Sequence, residues 1–432
     1  MTFSDFGNKL CGESGILQLM DDIGKPLPKG VKPYRLGGGN PAQIPEIQQM
    51  YRRRMEQILN TGDDFEKLIG FYDSPQGRVE FIETVAEFFK NKYGWNIDGK
   101  NVAVSNGSQS ACFYLFNLLA GTFTENGRQI KKRILFPLAP DYIGYADQGI
   151  EKDMFVSIPS TWEEEGNNFK YHVNFELLEN YLEKNFSKIG AMCVTRPTNP
   201  TGNVLTDTEV KRLSSLADRY NVPLIIDNAY GLPWPNIIFT DDASPYYGKN
   251  IILSMSLSKI GLPSLRTGII IADAQIVKAL GNLNAIAALA SGSMGQAIAT
   301  PLIRSGELVQ KAQDFVRPYY ENKAKKAVAA FHHYFEGTDY RLHKSEGSIF
   351  QWILMNNLSV TSKEFYSKLK EKGVIVVPGE YFFFGDDIEG GLPSLKDHAH
   401  YSKCLRINYA GPEDEVEQGI KIIADMYRKF SR

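Results

Sequence analysis

Residues 191–231 read AMCVTRPTNPTGNVLTDTEVKRLSSLADRYNVPLIIDNAYG and carry the clearest fold signal in the chain. The stretch opens with an apolar run, Ala191–Thr195, and ends with a second one, Val222–Ile226, each typical of a buried strand. Between them, Thr206 and Glu209 have the T-x-x-E spacing of a capping box, which predicts the start of a helix. Two buried strands joined by a helix predict a parallel β-α-β unit.

The same alternation continues on both sides of this unit. Further strands are predicted at Val102–Val104, Arg133–Phe136, Ile251–Met255 and Arg266–Ala272, and further helices over 47–59, 79–89 and 110–119. This order predicts an α/β fold with a mostly parallel sheet and helices on both faces.

The pattern changes after about residue 305. Long helices, over about 306–336 and 413–430, there flank short strands at Ser348–Leu354, Val374–Val377 and Cys404–Asn408. We therefore predict a smaller α+β domain. The expected division is a large ligand-binding domain over 50–305 and a small domain made of 1–49 and 306–432.

Composition excludes several classes of protein. The 432 residues are 43% hydrophobic and 23% charged, which excludes general disorder, and a net charge of −2 gives no drive toward nucleic acid. Four separated cysteines without a C-x-x-C pair indicate core thiols in a reducing compartment, and the six histidines show no metal spacing.

Residues 279–303 carry no charge, but their polar residues and glycines indicate a buried helix–loop–helix instead of a membrane span. With no recognisable targeting segment, we expect a cytoplasmic protein.

Polar residues follow the predicted strands at the edge where ligands bind in such sheets. They occur in Ser105–Gln109, which opens a helix, Thr195–Gly202, which contains Asn199, Asp227–Tyr230, and Ser256–Lys259, with Arg266 seven residues later. Backbone N–H groups at a helix start favour a phosphate. Together with a carboxylate, a phenol, an amide and a lysine, they suit a phosphorylated aromatic aldehyde held as a Schiff base, namely pyridoxal 5′-phosphate.

Three segments resemble the fold-type-I, aspartate-aminotransferase-like family of pyridoxal-phosphate enzymes: RPTNPTGNVL, LIIDNAYG and SMSLSKIGLPSLRTG. The resemblance runs from about Leu36 to the end of the chain. One branch of the family is similar in four further stretches, LGGGNPAQIP at 36–45, SNGSQSACFYLFNL at 105–118, LFPLAPDYIGYADQG at 135–149 and NAYGLPWPNIIF at 228–239. That branch implies the exchange of L-valine and pyruvate for 3-methyl-2-oxobutanoate and L-alanine.

The resemblance also implies roles for single residues. Lys259 is expected to form the Schiff base and move a proton, Asp227 to pair with the pyridine nitrogen, and Asn199 and Tyr230 to bond the ring oxygen. Tyr142 is expected to stack on the ring. The phosphate is expected to be held by Gly107, Ser108, Gln109, Ser256, Ser258 and Arg266. Tyr72 is expected to reach the phosphate of a partner subunit, so that a homodimer shares its active sites.

Substrate contacts are implied for four residues. Arg406 is expected to clamp the substrate carboxylate, with Asn199 beside it, and Gly38 and Gly39 to let an N-terminal loop close over the substrate. Purely structural alternatives are a core aromatic for Tyr142, surface packing for Tyr72, an ion pair for Arg406 and a simple turn for Gly37–Gly39.

No arginine occurs between Arg266 and Arg304, which favours small neutral substrates over dicarboxylates because an unpaired buried carboxylate is costly. Arg35 or Arg78 could still supply that charge. The alternatives to this activity are another aminotransferase of the same fold, or a β-C–S lyase with identical cofactor residues. A ligand-sensing regulator would need a DNA-binding domain, for which the roughly 35 residues before Leu36 are too few. We expect neither nucleic acid, membrane nor metal as a partner.

Overall fold

The computed structural model describes residues 2–12, 14–24 and 30–431. Its α-helices are α1 Asp5–Leu10, α2 Gly15–Gly24, α3 Pro45–Asn60, α4 Asp64–Gly70, α5 Val79–Tyr93, α6 Ser108–Leu119, α7 Phe175–Asn185, α8 Asp207–Tyr220, α9 Ala274–Ala288, α10 Ser293–Arg304, α11 Glu307–Lys311, α12 Arg317–Tyr334, α13 Ser362–Glu371 and α14 Glu413–Phe430. Its strands are β1 Tyr34–Arg35, β2 Val102–Asn106, β3 Gly121–Glu125, β4 Arg128–Ala139, β5 Phe155–Pro159, β6 Thr161–Glu165, β7 Asn168–His172, β8 Ile189–Thr195, β9 Leu224–Asp227, β10 Ile251–Ser256, β11 Thr267–Ile271, β12 Tyr340–His343, β13 Phe350–Met355, β14 Val374–Ile375, β15 Val377–Pro378 and β16 Cys404–Asn408.

The central sheet has the order β2-β11-β10-β9-β8-β4-β3, with β5 also paired to β4. Strands β10, β9, β8, β4 and β5 run parallel, whereas β11 runs antiparallel to both of its neighbours and β3 runs antiparallel to β4. The predicted α/β fold is confirmed, and its parallel strands form the middle of the sheet.

The predicted β-α-β unit is β8, α8 and β9. The Thr206 hydroxyl accepts a hydrogen bond from the Glu209 N–H at 3.1 Å, and the Glu209 carboxylate accepts one from the Thr206 N–H at 2.8 Å. This capping box begins α8, whose buried side chains include Val210 and Leu213. Asn221, in the left-handed conformation, ends the helix and turns the chain into β9.

Strand register aligns the polar residues that follow the strands. Thr195 pairs with Asp227 across β8 and β9, and Asp227 pairs with Ser254 across β9 and β10. On the other side of β10, Ser256 lies opposite Gly268 of β11. Strand ends that are far apart along the chain therefore meet at one edge of the sheet.

A second sheet, of order β15-β16-β13-β12-β7-β6, combines strands from two parts of the chain. The hairpin β6–β7 comes from the middle of the sequence and joins this sheet through the parallel pairing of β7 with β12. The division into domains 50–305 and 1–49 plus 306–432 stays a prediction, and residues 1, 13, 25–29 and 432 lie outside the described chain.

Three expectations from sequence can be compared with these elements. Residues 279–303 do form helix–loop–helix, within α9 and α10, and no described helix has the length and apolar character needed to cross a membrane. The helix expected over 306–336 is interrupted by a π-helical segment at Ala312–Val316, next to Pro318, which has no N–H to bond the preceding turn. The prediction of four core thiols is wrong for Cys11, which is exposed because α1 buries none of its residues, and right for the other three.

Candidate active site

A cavity of about 470 Å³ lies at the carboxyl edge of the central sheet. This volume is within the range of pockets that hold cofactors and small substrates. Twelve of the predicted site residues line it: Gly39, Ser108, Gln109, Tyr142, Asn199, Asp227, Tyr230, Ser256, Ser258, Lys259, Arg266 and Arg406. The other three do not line it. Gly107 packs against the Arg266 guanidinium, the Gly38 carbonyl is bonded by Asn408, and Tyr72 lies on the surface with 85% of its area exposed.

Lys259 follows β10 and is partly accessible from the cavity. Its Nζ donates a hydrogen bond to the carbonyl of Gly39 at 2.5 Å and lies 5.4 Å from the centre of the Tyr230 ring. Burial and the nearby guanidinium groups of Arg406 and Arg266 lower the pKa of Lys259 to about 8, against the opposing effect of Asp227. A substantial fraction of this amine is therefore neutral near pH 8, as a nucleophile or base requires.

Asp227 is the last residue of β9 and is 5% exposed. Its Oδ2 accepts a hydrogen bond from the Tyr145 hydroxyl at 2.5 Å, and its Oδ1 accepts one from the Ala229 N–H at 3.1 Å. Burial raises the pKa of Asp227 above its ordinary value, and the two hydrogen bonds and Lys259 partly oppose this shift. Asp227 is thus a buried carboxylate held in one orientation beside the cavity.

An anion-binding cradle lies where α6 begins. Arg266, at φ 47°, donates to the Ser258 hydroxyl at 3.4 Å, and the Ser256 hydroxyl bonds that of Ser258 at 2.9 Å. A side chain at Gly107, where φ is 87°, would place its Cβ 2.1 Å from Arg266 Nη2, so only glycine fits against the guanidinium. The N-terminal N–H groups of α6, beginning at Ser108, add the helix dipole to these donors.

Arg406, in β16 of the second sheet, is 2% exposed and lines the cavity. Its Nη1 donates to Asn199 Oδ1 at 2.7 Å and its Nη2 to the Gly37 carbonyl at 2.6 Å, while its guanidinium lies 4.1 Å from the centre of the Phe350 ring. Burial lowers the pKa of Arg406 to about 10, so the group stays cationic at neutral pH. Among the described residues, none accepts from the buried Nε and no carboxylate pairs with this arginine, so it can bind an anionic ligand.

The glycine loop, residues 37–39, is held through its carbonyl groups. Those of Gly37 and Gly39 accept from Arg406 and Lys259, and that of Gly38 accepts from Asn408 Nδ2 at 2.5 Å. The loop is therefore fixed at one side of the cavity, which Gly39 lines. Its closure on a substrate stays a prediction.

Helix α2 forms a wall of the cavity that the sequence analysis did not find. Ile16, Leu19 and Met20 line the cavity, and their spacing of three and four residues was the available signal. The helix is attached to α13 through Asp22, whose carboxylate accepts from Tyr366 Oη at 2.8 Å and Lys370 Nζ at 2.7 Å.

Two further lining residues, Tyr145 and Thr195, were also missed, together with Cys112, Phe350 and a few small side chains. Tyr145 follows Tyr142 by three residues within PDYIGY, and Thr195 ends β8. No described group of histidine, cysteine, aspartate or glutamate side chains is arranged to hold a metal ion.

Comparisons with known proteins agree with this geometry. The family model of aminotransferase class I and II matches residues 65–423. The chain is 44% identical over 427 residues to valine–pyruvate aminotransferase of Escherichia coli K12, with 98% of each chain covered. The structure of valine–pyruvate aminotransferase from Salmonella typhimurium LT2 is 40% identical, with a TM-score of 0.83, 96% of this chain and 99% of that chain covered. A structure from Psychrobacter arcticum 273-4 is 41% identical, with a TM-score of 0.94 and coverage of 100% and 99%. Because the family model covers most of the chain and the Escherichia coli relative is 44% identical over nearly its full length, the chain belongs to the aminotransferase class I and II family.

Proposed function

We propose that this protein is a pyridoxal-phosphate-dependent aminotransferase that exchanges the amino group of valine or alanine with pyruvate or 3-methyl-2-oxobutanoate. One observation carries the proposal: Lys259, Asp227 and Arg406 line a single cavity, where the carboxylate and the guanidinium both act on the pKa of the lysine. The 44% identity to the valine–pyruvate aminotransferase of Escherichia coli supports the choice of substrates.

The donor set of the cavity suits pyridoxal 5′-phosphate. When bound, this group would supply an aldehyde that reacts with amines and a ring that withdraws electrons from the substrate Cα. Asp227 would face the protonated ring nitrogen, Asn199 and Tyr230 would bond the ring oxygen, and Tyr142 would cover a ring face. The phosphate would be held by Gly107, Ser108, Gln109, Ser256, Ser258 and Arg266.

Lys259 and Arg406 would have different roles toward the substrate. The neutral form of the Lys259 amine, favoured by its lowered pKa, would remove the proton from the substrate Cα in the first half-reaction. It would return a proton to Cα in the second half-reaction. Arg406 has a free, buried Nε beside the cavity and would hold the carboxylate that all amino acids share. With its carboxylate fixed, the substrate would present its Cα–H bond toward Lys259.

The walls of the cavity favour small neutral side chains. Ile16, Leu19, Met20 and Phe350 supply apolar surface. Neither Arg35 nor Arg78 lines the cavity. Arg78 forms an ion pair with Asp73 instead, with 3.7 Å between Arg78 Nη1 and Asp73 Oδ1. Among the described residues that line the cavity, the cations are Lys259, Arg266 and Arg406, which already have roles, so a second substrate carboxylate would be buried unpaired at a cost in free energy.

We further propose a homodimer in which Tyr72 reaches the phosphate of the partner subunit. Support comes from large apolar side chains that are exposed on two segments, Ile69 and Phe71 next to Tyr72 in the chain, and Ile286 and Leu289 at the end of α9. Asn284 Nδ2 donates to the Pro75 carbonyl at 2.8 Å and so joins α9 to the turn that carries Tyr72. Exposed apolar side chains on two segments that are joined in this way favour a protein interface. A cytoplasmic location is proposed as well, because the cysteines are all free thiols.

A half-reaction screen tests this function. The purified holoenzyme is mixed with single amino acids, the cofactor absorbance is followed, and kcat/KM is compared for alanine, valine and aspartate. We expect alanine and valine to react best, with leucine close behind because a pocket distinguishes one methylene by only about 1–3 kcal/mol. A tenfold advantage for aspartate would refute the substrate assignment, and ammonia release from cystathionine would identify a β-C–S lyase.

A further inference from the structure

A hydrogen-bonded network lies behind Asp227, on the side away from the proposed substrate site. Tyr145 Oη donates to Asp227 Oδ2 at 2.5 Å and also lies 3.3 Å from Thr195 Oγ1. Thr195 Oγ1 donates to Asp141 Oδ1 at 2.7 Å, and the Tyr142 N–H donates to that same oxygen at 2.7 Å. All four side chains that form the network are buried or face the cavity.

Counting protons fixes the direction of these bonds. Each hydroxyl has one proton to donate. The Thr195 proton goes to Asp141, so Thr195 cannot also donate to Tyr145. The Tyr145 proton goes to Asp227, because its 2.5 Å contact with a carboxylate is much shorter than its 3.3 Å contact with Thr195. The phenol is therefore a dedicated donor to the Asp227 carboxylate.

The Tyr145 ring is fixed by packing as well as by hydrogen bonds. It stacks on Phe136 at 5.7 Å between ring centres and meets the edge of Phe116 at 5.3 Å. A phenylalanine at this position would keep both ring contacts and lose only the hydroxyl. The contribution of the donated proton can thus be separated from that of the aromatic packing.

We propose that Tyr145 is a positioning residue that holds Asp227 ionised and correctly oriented toward the ring nitrogen of the cofactor. This inference rests on the proposed function. With Oδ1 held by the Ala229 N–H and Oδ2 by Tyr145, the carboxylate cannot rotate, and its negative charge is stabilised by two donors. Without the phenol, Asp227 would compete more strongly for the proton that the ring nitrogen must keep.

Other ionisable groups face this network from the neighbouring elements. Lys259 favours the ionised form of Asp227. The other three are Asp141, Cys112 and Cys193, and burial raises the pKa of each of them, which favours their neutral forms. The two thiols stay neutral, and the groups that bond the Asp227 oxygens directly are the Tyr145 hydroxyl and the Ala229 N–H.

The test compares Tyr145→Phe with Tyr171→Phe in the holoenzyme. Tyr171 is a matched control because it is equally buried and its hydroxyl also has two side-chain partners, His400 and Trp352, and none of these three residues lines the cavity. The readouts are the cofactor dissociation constant and the pH midpoint of the bound cofactor's absorbance. Because hydrogen bonds to charged groups are the strong ones, we expect Tyr145→Phe to weaken cofactor binding about tenfold and to shift the midpoint by about 0.5–1 pH unit. We expect Tyr171→Phe to change only the thermal stability.

A double-mutant cycle with Asp227→Asn separates this inference from the proposed function. If Tyr145 acts through the carboxylate, Tyr145→Phe should weaken cofactor binding by less than about twofold once Asp227 is asparagine. Equal effects in both backgrounds, or an unshifted midpoint in a folded Tyr145→Phe enzyme, would overturn the positioning role. A wild-type protein that binds no pyridoxal phosphate would instead overturn the proposed function itself.

Discussion

Replacing Arg406 by lysine tests the carboxylate clamp. Lysine keeps the positive charge but cannot make a planar fork, so it cannot bond Asn199, the Gly37 carbonyl and a carboxylate at the same time. Hydrogen bonds that involve a charged group contribute about 1.5–3 kcal/mol, and we expect the loss of one bond to the substrate. This corresponds to a decrease of about 10–150-fold in kcat/KM.

The decrease should be the same for every amino acid, because all of them share the carboxylate. The assay is the half-reaction rate with alanine, 2-aminobutyrate and valine for Arg406→Lys and the wild type. Arg133→Lys is the control, since Arg133 is also largely buried and bonds Asp387 and Tyr181 at 2.8 Å, outside the cavity. It should lower the thermal stability and leave kcat/KM near wild type. A loss that differs more than tenfold between alanine and valine would refute the reasoning and place Arg406 against the substrate side chain.

Four further experiments test the roles of Lys259 and Asp227 and the pH dependence of stability. Lys259→Ala should abolish turnover, since acid–base catalysis alone contributes about 10²–10⁴-fold, while the cradle still retains cofactor; borohydride should label Lys259 in the wild type and nothing in the variant. In the apoenzyme, labelling of Lys259 by an aldehyde reagent should increase with pH and reach half its maximum near pH 8, because only the neutral amine reacts; a midpoint near 10.5 would contradict the lowered pKa. Asp227→Asn should greatly slow the half-reaction with a smaller loss of cofactor binding, and near-normal rates would exclude its role opposite the ring nitrogen. Burial lowers the pKa of His343 and His400 to about 3 and of His398 to about 4. Below about pH 6.5 the unfolded chain therefore binds more protons at these histidines than the folded chain does. The unfolding free energy, measured in urea, should decrease from about pH 6.5 toward pH 4, and a flat profile would contradict this prediction.

Much of the fold and of the candidate site could be predicted from local patterns. The T-x-x-E sequence at Thr206 is a capping box in the structure, because its two hydrogen bonds join residues only three apart. Asp227 and Lys259 meet at one cavity because each follows a strand of the same sheet, and parallel strands bring their carboxyl ends to one edge.

Other features depend on contacts between distant parts of the chain. The Tyr145 hydroxyl and Asp227 are 82 residues apart, and no local pattern around either one predicts their 2.5 Å bond. The wall formed by Ile16, Leu19 and Met20 likewise depends on Asp22 reaching Tyr366, 344 residues away.

The amino-acid sequence therefore specified the periodic elements and the chemical groups at their ends, because hydrogen bonding within a turn and the burial of one apolar face act over a few residues. Which groups touch depends on how those elements pack. The β6–β7 hairpin shows this: its own alternation allows pairing with any open strand edge, and only the packed chain brings β7 beside β12 in the second sheet. The pKa of Lys259, about 8, arises in the same way, from burial in the packed chain and from the positive charges of Arg406 and Arg266, which lie on separate elements.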